Sequence, residues 1–335
     1  DPVNPKFAIT VLMDWPFTNN KKWISWSKSL VALCVLGLLI HRISWIDLRN
    51  AAVNAQHGWI TAALVLLAPN LFCQFKRWQL IVRQFDPTIS AKELVRSLFA
   101  GITLGLITPG RIGDLGRTVL IPGADWLGLM GLMLIEKWYA LLVVYFAGLW
   151  GLLPFLRAAL RPELWVPVET TGLALVLAGI GLALHPAFLN YVLKRFNSSE
   201  KHKRLQQVLN GVSRLTPQVS RSLLFYTVAQ VAVYLGQFYL LVRAFAPLPL
   251  RSGLSAVAAI MWSKTLLPVS LGDLGIRESA SIYFLGKLQV SEAAAFDSAL
   301  LLFAVNVLLP AVAGFVVLMK SRVLQSPKDS LQEPA

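Results

Sequence analysis

Apolar runs of about 20 residues recur along the chain, separated by short polar and basic segments. A helix of this length rises about 30 Å, which is the thickness of the hydrocarbon layer of a bilayer. The runs do not alternate in ten-residue segments, so they predict membrane-spanning helices rather than the strands of a barrel. The six predicted full spans are 23–45, 59–78, 125–153, 164–184, 223–242 and 293–319.

Two further apolar runs are too short to cross a bilayer, and both lead into nearly the same motif. One of them, Ser97–Ile107, has 11 residues. From Pro109 and again from Pro268 the chain reads P-x-x-x-G-D-L-G, followed closely by an arginine (Arg117, Arg277). Proline and glycine end a helix, and hydrocarbon tolerates the freed backbone groups only where protein or a watery cavity surrounds them. We therefore predict re-entrant helical hairpins at 91–121 and 252–276, the second followed by a short helix at 277–289.

The order of these elements predicts an internal repeat. Each half contains two full spans, one hairpin and a further span, and three full spans separate the two hairpins. Because three is odd, the hairpins enter from opposite faces of the membrane. The predicted fold is an all-α polytopic membrane protein with six full spans and two re-entrant hairpins, arranged as an inverted-topology repeat whose broken helices meet near the midplane. The predicted segments are a cytoplasmic or interfacial segment 1–22, a first repeat 23–153, a second repeat 164–319 and a cytoplasmic tail 320–335.

Composition and charge support a membrane protein and set its orientation. Hydrophobic residues make up 56% of the 335 residues and charged residues only 14%, whereas a soluble protein has about 25% charged residues. The net charge of +14 does not indicate nucleic acid, because the basic residues lie between apolar spans. Lys and Arg concentrate in 1–22, 76–96, 320–335 and the predicted long polar loop 185–222, which has seven of them against one acid. This bias predicts that both termini lie in the cytoplasm.

The two motifs supply the candidate substrate site. Charged residues at membrane depth are costly and mark pairs or polar pathways, and broken helix ends expose N–H groups that suit a phosphate. The arginines would hold the phosphate, the carboxylates would orient them or take protons, and the glycines would expose the backbone. The alternative is an Asp–Arg brace that closes each hairpin. The candidate residues are Arg111, Arg117, Arg277, Asp114, Asp273, Glu278, Gly110, Gly113, Gly272 and Gly275.

Other polar residues inside the predicted spans are candidates for ion pairs or for a pathway wall. Glu136 and Lys137 are adjacent on one helix, so they point to different faces and would pair with other elements, or Glu136 would carry a proton. Lys264 either reaches the same cavity or extends to the interface. A stripe at helical spacing forms either a substrate wall or interhelical hydrogen bonds: Tyr226, Gln230, Tyr234 and Gln237.

Some residues are assigned structural roles. Arg77-Trp78 is interpreted as an interfacial anchor at the end of the second span, and Asn306 with Pro310 as a kink in the last span. Cys34 and Cys73 lie in apolar runs and imply no disulfide framework, and the four histidines are scattered without metal-ligand spacing. We therefore expect no metal and no cofactor.

The chain resembles the flippase-like integral membrane family, also called the lysylphosphatidylglycerol synthase transmembrane region. The resemblance is carried by Arg77-Trp78, Thr108–Arg117, the pair Glu136-Lys137 and Leu267–Glu278. The chain departs from the family pattern where Asp114 replaces a glutamate and Asp273 replaces a glycine. Lys137 and Ala140 likewise stand where the family has Arg and Asp.

The resemblance implies lipid transfer between the leaflets of a bacterial inner membrane. Multi-domain relatives carry a soluble aminoacyl-transfer domain, for which the 16 residues after Met319 are too few, so we expect a transporter and not an enzyme. The expected activity is movement of a membrane phospholipid or another phosphate-bearing lipid by alternating access between the two motifs. Protons on Asp114, Glu136 or Glu278 would supply any energy coupling. The alternatives are an intramembrane lipid-modifying enzyme and an accessory subunit that presents lipid to a partner enzyme.

Overall fold

The computed structural model describes residues 53–108, 112–121, 123, 125–159, 161–184, 203–266 and 275–320, and its regular elements there are all helical. In chain order the α-helices are α1 His57–Val65, α2 Leu67–Val82, α3 Ala91–Ile107, α4 Trp126–Ala159, α5 Pro162–Leu184, α6 Lys203–Ser213, α7 Pro217–Phe245, α8 Leu250–Leu266, α9 Ile276–Gly286, α10 Glu292–Phe303 and α11 Leu309–Lys320. A 3-10 helix, Ile112–Thr118, follows α3, and a π-helical turn, Ala304–Leu308, joins α10 to α11.

Four of the described helical stretches are long and apolar enough to cross a membrane: His57–Val82, Trp126–Ala159, Pro217–Phe245 and Glu292–Val317. They coincide with the predicted spans 59–78, 125–153, 223–242 and 293–319. α4 extends beyond the predicted end at 153, because Pro154 is accommodated inside the helix. The predicted span 164–184 is the helix α5, whose described apolar part, Trp165–Gly179, is shorter than a span. The predicted span 23–45 lies outside the described residues. The protein is therefore an all-helical, multi-pass membrane protein.

The first predicted hairpin is a helix on which the following segment folds back. α3 begins with a capping box, in which the Ser90 hydroxyl accepts from the Glu93 N–H and the Glu93 carboxylate accepts from the Ser90 N–H. The 3-10 helix then packs against α3. Gly113 makes this approach possible, because a β-carbon there would lie 2.3 Å from the carbonyl oxygen of Leu104.

The second hairpin region has a related arrangement. α8 and α9 pack against each other, and the connection 267–274 lies outside the described residues. α9 begins at Ile276, after Gly275, whose φ of 89° favours glycine. The predicted short helix 277–289 corresponds to α9, which ends at Gly286.

The prediction that residues 185–222 form a polar loop is wrong for most of the segment 203–222, which is helical. Residues 203–213 form α6, and α7 begins at Pro217 after a Thr216 cap. α6 packs closely on α4, where its backbone contacts glycines of that helix. The helical spacing of Val208, Val212 and Leu215 explains this packing, since Val212 and Leu215 are buried. The high charge of the segment obscured its apolar stripe.

The packing of the two halves is reciprocal. α3, from the first predicted repeat, packs against α11 at the end of the second, and α8 packs against α4. Two hydrophobic clusters result, one around Trp78 and Leu132 and the other around Phe238 and Ile260. Polar and charged side chains lie buried between the elements that carry these clusters.

Candidate functional site

A cavity of about 340 Å³ lies between the two halves and is walled by polar and charged side chains. It is bordered by α2, α3, the 3-10 helix, α4, α7, α8, α9 and the π-helical turn. We call it the central cavity. Its charged lining residues are Arg77, Asp114, Arg117, Glu136, Lys137, Lys264 and Arg277.

Glu136 joins two arginines on different elements. Its Oε1 lies 2.8 Å from a terminal nitrogen of Arg77, and its Oε2 lies 2.7 Å from a terminal nitrogen of Arg117. Arg77 also donates to the backbone oxygen of Glu136 at 3.3 Å and to the side-chain oxygen of Gln230. All three charged residues are at least nine-tenths buried. The carboxylate therefore holds α2, the 3-10 helix and α4 together through charge-assisted hydrogen bonds.

Arg117 is fixed on its other sides by apolar and aromatic groups. Its guanidinium carbon lies 4.4 Å from the centre of the Trp78 ring, and its Nε lies 3.5 Å from the sulfur of Met133. Stacking on an indole suits a guanidinium, which is planar and weakly hydrated. Gly101 of α3 leaves room for this side chain, since a β-carbon there would lie 2.9 Å from that of Arg117.

Asp114 pairs with Lys137 from α4. The Lys137 ammonium lies 2.8 Å from Asp114 Oδ2, and Arg117 lies 3.9 Å from Oδ1. The Lys137 side chain is 44% exposed and that of Asp114 is 15% exposed, so this pair borders the open part of the cavity. Glu136 and Lys137 thus contact different partners, in accordance with their positions on different faces of α4.

The second motif contributes a pair of neighbouring residues. A terminal nitrogen of Arg277 lies 2.5 Å from Glu278 Oε1, and the Gly275 N–H donates to Glu278 Oε2 at 2.6 Å. The side chains of both residues are fully buried, and Arg277 also lies 5.7 Å from the centre of the Phe303 ring. Arg277 lines the central cavity, whereas Glu278 braces the start of α9 behind it.

Side-chain amides form a second buried network beside the charges. Asn70 donates to Asn306 at 2.6 Å and to Gln237 at 3.1 Å, and it accepts from Gln74 at 3.2 Å. Gln237 donates in turn to the backbone oxygen of Ala63. Asn306 lies in the π-helical turn, which is the distortion that the sequence predicted as a kink.

The predicted stripe on α7 divides between the two roles that the sequence left open. Gln230 and Tyr234 line the central cavity, and Gln237 forms interhelical hydrogen bonds. Tyr226 lies elsewhere, with its ring 6.4 Å from that of Phe72. Lys264 also lines the cavity, with its ammonium 5.9 Å from the centre of the Tyr234 ring.

The interpretation of Arg77-Trp78 as an interfacial anchor is wrong. Arg77 is 6% exposed and Trp78 is fully buried, with its indole N–H donating to Ser97 at 2.8 Å. The polar residues Asn70, Gln74 and Arg77 recur at i, i+4 and i+7, which places them on one face of α2. This spacing in the sequence indicates a polar stripe that faces the interior of the protein.

Four of the predicted site residues lie outside the described residues: Arg111, Asp273, Gly110 and Gly272. The described motif residues Asp114, Arg117 and Arg277 share the central cavity. The glycines Gly113 and Gly275 are buried at the turns that position them.

The arrangement favours binding of an anion. Three buried guanidinium groups and two lysines border the cavity, and guanidinium geometry matches phosphate oxygens. Within the described part of the chain, no group of three His, Cys, Asp or Glu side chains could hold a metal ion.

Comparison with known proteins identifies the family. Residues 25–314 match the family described as the lysylphosphatidylglycerol synthase TM region. No curated protein and no solved structure matches the chain at a significant level. The match covers most of the chain, including both motifs and the residues that wall the central cavity, so this protein belongs to the lysylphosphatidylglycerol synthase TM region family.

Proposed function

We propose that this protein moves a phosphate-bearing lipid between the leaflets of the membrane by alternating access at the central cavity. The observation that carries the proposal is that Arg117 of the first motif and Arg277 of the second border one cavity, although 160 positions separate them. Membership of a lipid-related membrane family supports a lipid as the substrate.

In the proposed mechanism the phosphate competes with Glu136 for arginine. The carboxylate neutralises Arg77 and Arg117 through contacts with their terminal nitrogens. The Nε of Arg77 is buried and has no hydrogen-bond partner among the described residues, which leaves a donor for a phosphate oxygen. Exchange of one anion for another allows the headgroup to enter without leaving buried arginines unpaired.

The size of the central cavity suits a headgroup. A volume of about 340 Å³ is at the lower end of ligand pockets, which span about 300–1,000 Å³. The acyl chains of a phospholipid need far more room, so they stay in the bilayer while the headgroup passes through the protein. Burial of the three arginines shields them from bulk water and strengthens the arginine–phosphate contacts.

The reciprocal packing supports the finer architecture that we propose, with six spans and an inverted-topology repeat. The helix before each motif packs against the last long helix of the other half, α3 on α11 and α8 on α4. In an inverted repeat this exchange places the two hairpins on opposite faces of a shared site. Each hairpin then gates the central cavity from one leaflet.

We further propose that the protein lies in the bacterial inner membrane with both termini in the cytoplasm. The basic segments around 76–96 and 203–221 then face the cytoplasm, and the end of α4 faces the outside. Single cysteines replacing Thr88 and Arg161 test this orientation in a variant without Cys34 and Cys73. We expect an impermeant thiol reagent to label position 161 in intact cells, and position 88 only after lysis. The reverse pattern would overturn the orientation.

The activity is tested by the leaflet accessibility of labelled lipids in proteoliposomes, with and without a pH gradient. The variants are Arg117→Gln and Arg277→Gln, and Arg161→Gln is the matched control because Arg161 is exposed and does not line the central cavity. We expect the wild type and the control to move an anionic or polyprenyl-phosphate lipid, and the two cavity variants to be at least tenfold slower.

Mass spectrometry of the recovered lipid separates the proposal from an enzyme. Transport leaves the lipid chemically unchanged, whereas an altered lipid would indicate an intramembrane lipid-modifying enzyme. Intact lipid that does not move would favour an accessory subunit that presents lipid to a partner enzyme.

A further inference from the structure

A second cavity, of about 770 Å³, lies at the opposite end of the contact between α4 and α8. It is bordered by the last turns of α4, the first turns of α8 and the end of α9, and we call it the distal cavity. Lys137 and Arg157 on α4 border the central and distal cavities respectively. They are separated by about 30 Å along the helix axis at 1.5 Å per residue. The two cavities are therefore separate sites.

Close packing closes the space between them. A β-carbon on Gly148 of α4 would lie 2.3 Å from that of Trp262 on α8, and one on Gly151 would lie 2.6 Å from that of Ala258. Trp262 also stacks edge-to-face with Tyr145 at 5.9 Å. A ligand in the distal cavity therefore makes its own contacts and does not share the arginines of the central cavity.

The charge of the distal cavity is positive. Its lining residues include Arg157, Arg251 and Lys287, and none of the described lining residues is acidic. Arg157 forms a two-pronged pair with Glu169, at 2.9 and 3.1 Å. Neither Arg251 nor Lys287 lies within ion-pair distance of an acidic side chain among the described residues. The positive charge of these two residues is therefore available to an anion in the cavity.

The remaining wall is apolar and aromatic. Trp150, Phe155 and Leu288 line it, together with Tyr283. Trp150 is 46% exposed and Tyr283 is 60% exposed. Tryptophan and tyrosine at the ends of spanning helices lie at the level of lipid headgroups, with their apolar rings against the acyl chains. A cationic group suits the phosphate of a phospholipid, and the neighbouring apolar and aromatic wall suits its acyl chains.

We propose that the distal cavity binds an anionic phospholipid of the adjacent leaflet, with its phosphate between Arg251 and Lys287 and its upper acyl chains against Trp150 and Tyr283. This site does not depend on lipid transport, because it is defined by its own cations and wall. It would hold an anionic lipid even in a protein whose central cavity is inactive.

The test uses the full chain in nanodiscs of phosphatidylcholine that contain a small fraction of lipid with a photoreactive acyl chain. The photoreactive lipid is phosphatidylglycerol in one sample and phosphatidylcholine in the other, and the labelled peptides are identified by mass spectrometry. We expect phosphatidylglycerol to label 150–159 and 283–288, and phosphatidylcholine to label them only at the level of other lipid-facing segments.

Neutralising the cations should remove this preference. Arg251→Gln and Lys287→Gln should each lower labelling by phosphatidylglycerol about fivefold, since each basic residue adds about that factor near an anionic lipid. Arg161→Gln, a nearby exposed arginine that does not line the cavity, should leave it unchanged. Thermal unfolding of each variant checks that the fold is kept.

Three results would overturn the proposal. Equal labelling by both lipids would show that the cavity holds only bulk lipid. Loss of labelling on addition of soluble glycerol phosphate would show a site for free phosphate esters instead of a lipid. Loss of labelling in Arg117→Gln, with the fold kept, would contradict the independence of the two cavities.

Discussion

At the scale of single residues, the central feature is a buried carboxylate shared by two arginines. Glu136 contacts Arg77 and Arg117 at 2.8 and 2.7 Å, and each of these residues is at least nine-tenths buried. Burying three charges is costly in itself, so such a cluster is weak evidence for a role in stability. The cluster agrees instead with the site that we propose, in which a phosphate exchanges with the carboxylate.

Glu136→Gln should destabilise the protein and reduce lipid movement. The amide removes the carboxylate that bridges two buried guanidinium groups, and Asp114, which lies 3.9 Å from Arg117, compensates this loss only in part, so the free energy of unfolding falls by about 3–5 kcal/mol. Thermal unfolding in detergent and the proteoliposome assay measure the two effects. Glu169→Gln is the control, because its pair with Arg157 is exposed and should contribute little. Equal melting temperatures for the two variants would contradict this account.

Asp114→Asn should impair lipid movement more than Lys137→Gln. Asp114 is more buried than Lys137 and lies near Arg117 as well, so loss of its charge disturbs two cations. The Lys137 side chain is 44% exposed, so in Lys137→Gln water can take the place of the ammonium beside Asp114. If both variants have the same rate, Asp114 acts only through its ion pair with Lys137, and not through Arg117 as in the Asp–Arg brace that the sequence left open as the structural alternative. The initial rate in proteoliposomes decides between them.

At the scale of elements, the first hairpin depends on one close approach between backbones. The 3-10 helix that carries Asp114 and Arg117 lies on α3, and Gly113 is the contact point. The Gly113 N–H donates to the Thr108 hydroxyl at 2.7 Å, which fixes the returning segment at the end of α3. The site charges are therefore positioned by the turn and not by a continuous helix.

Gly113→Ala should displace the 3-10 helix and abolish lipid movement. A methyl group there would lie 2.3 Å from a backbone oxygen, so the segment must shift, at a cost of about 1–3 kcal/mol. Gly181→Ala in α5 is the matched control: its β-carbon meets nothing within 4 Å, and alanine should stabilise the helix by about 0.5–1 kcal/mol. Melting temperatures that move in the same direction for both variants would argue against the close contact.

The sequence predicted which segments form helices better than it predicted which residues and helices contact one another. Spans were recognisable because hydrocarbon demands long apolar runs, which explains the agreement at Trp126–Ala159 and Pro217–Phe245. Burial of Arg77 was missed because an arginine near a helix end also suits an interface, and only the distant Glu136 decides between the two. Helix α6 was missed because its short apolar stripe is flanked by basic residues, and its partner α4 lies far away in the sequence.

At the scale of the whole molecule, the helix that precedes each motif packs against the opposite half. α3 packs on α11, where Gly314 contacts Phe99 and Thr103, and α8 packs on α4 at Gly148. Small residues at these contacts allow helices to approach closely in a membrane. The central cavity lies between the two contacts. If the hairpins move as we propose, a shift of either hairpin against the opposite half changes access to the cavity, and the two hairpins act as two gates around one site.

Locking either contact with a disulfide should stop lipid movement reversibly. Cysteine pairs at Gly148 and Trp262, and at Thr103 and Gly314, join positions that face each other across the two contacts, in a background without Cys34 and Cys73. A β-carbon added at position 148 would lie 2.3 Å from that of Trp262, and the β-carbons of a disulfide lie about 3.8 Å apart, so the two helices need to separate only slightly. If each hairpin must move, oxidation of either pair stops transport in proteoliposomes and reduction restores it.

Single-cysteine variants control for loss of the native side chains. Full activity with both contacts locked would rule out gating by the hairpins and would place the moving part elsewhere in the chain.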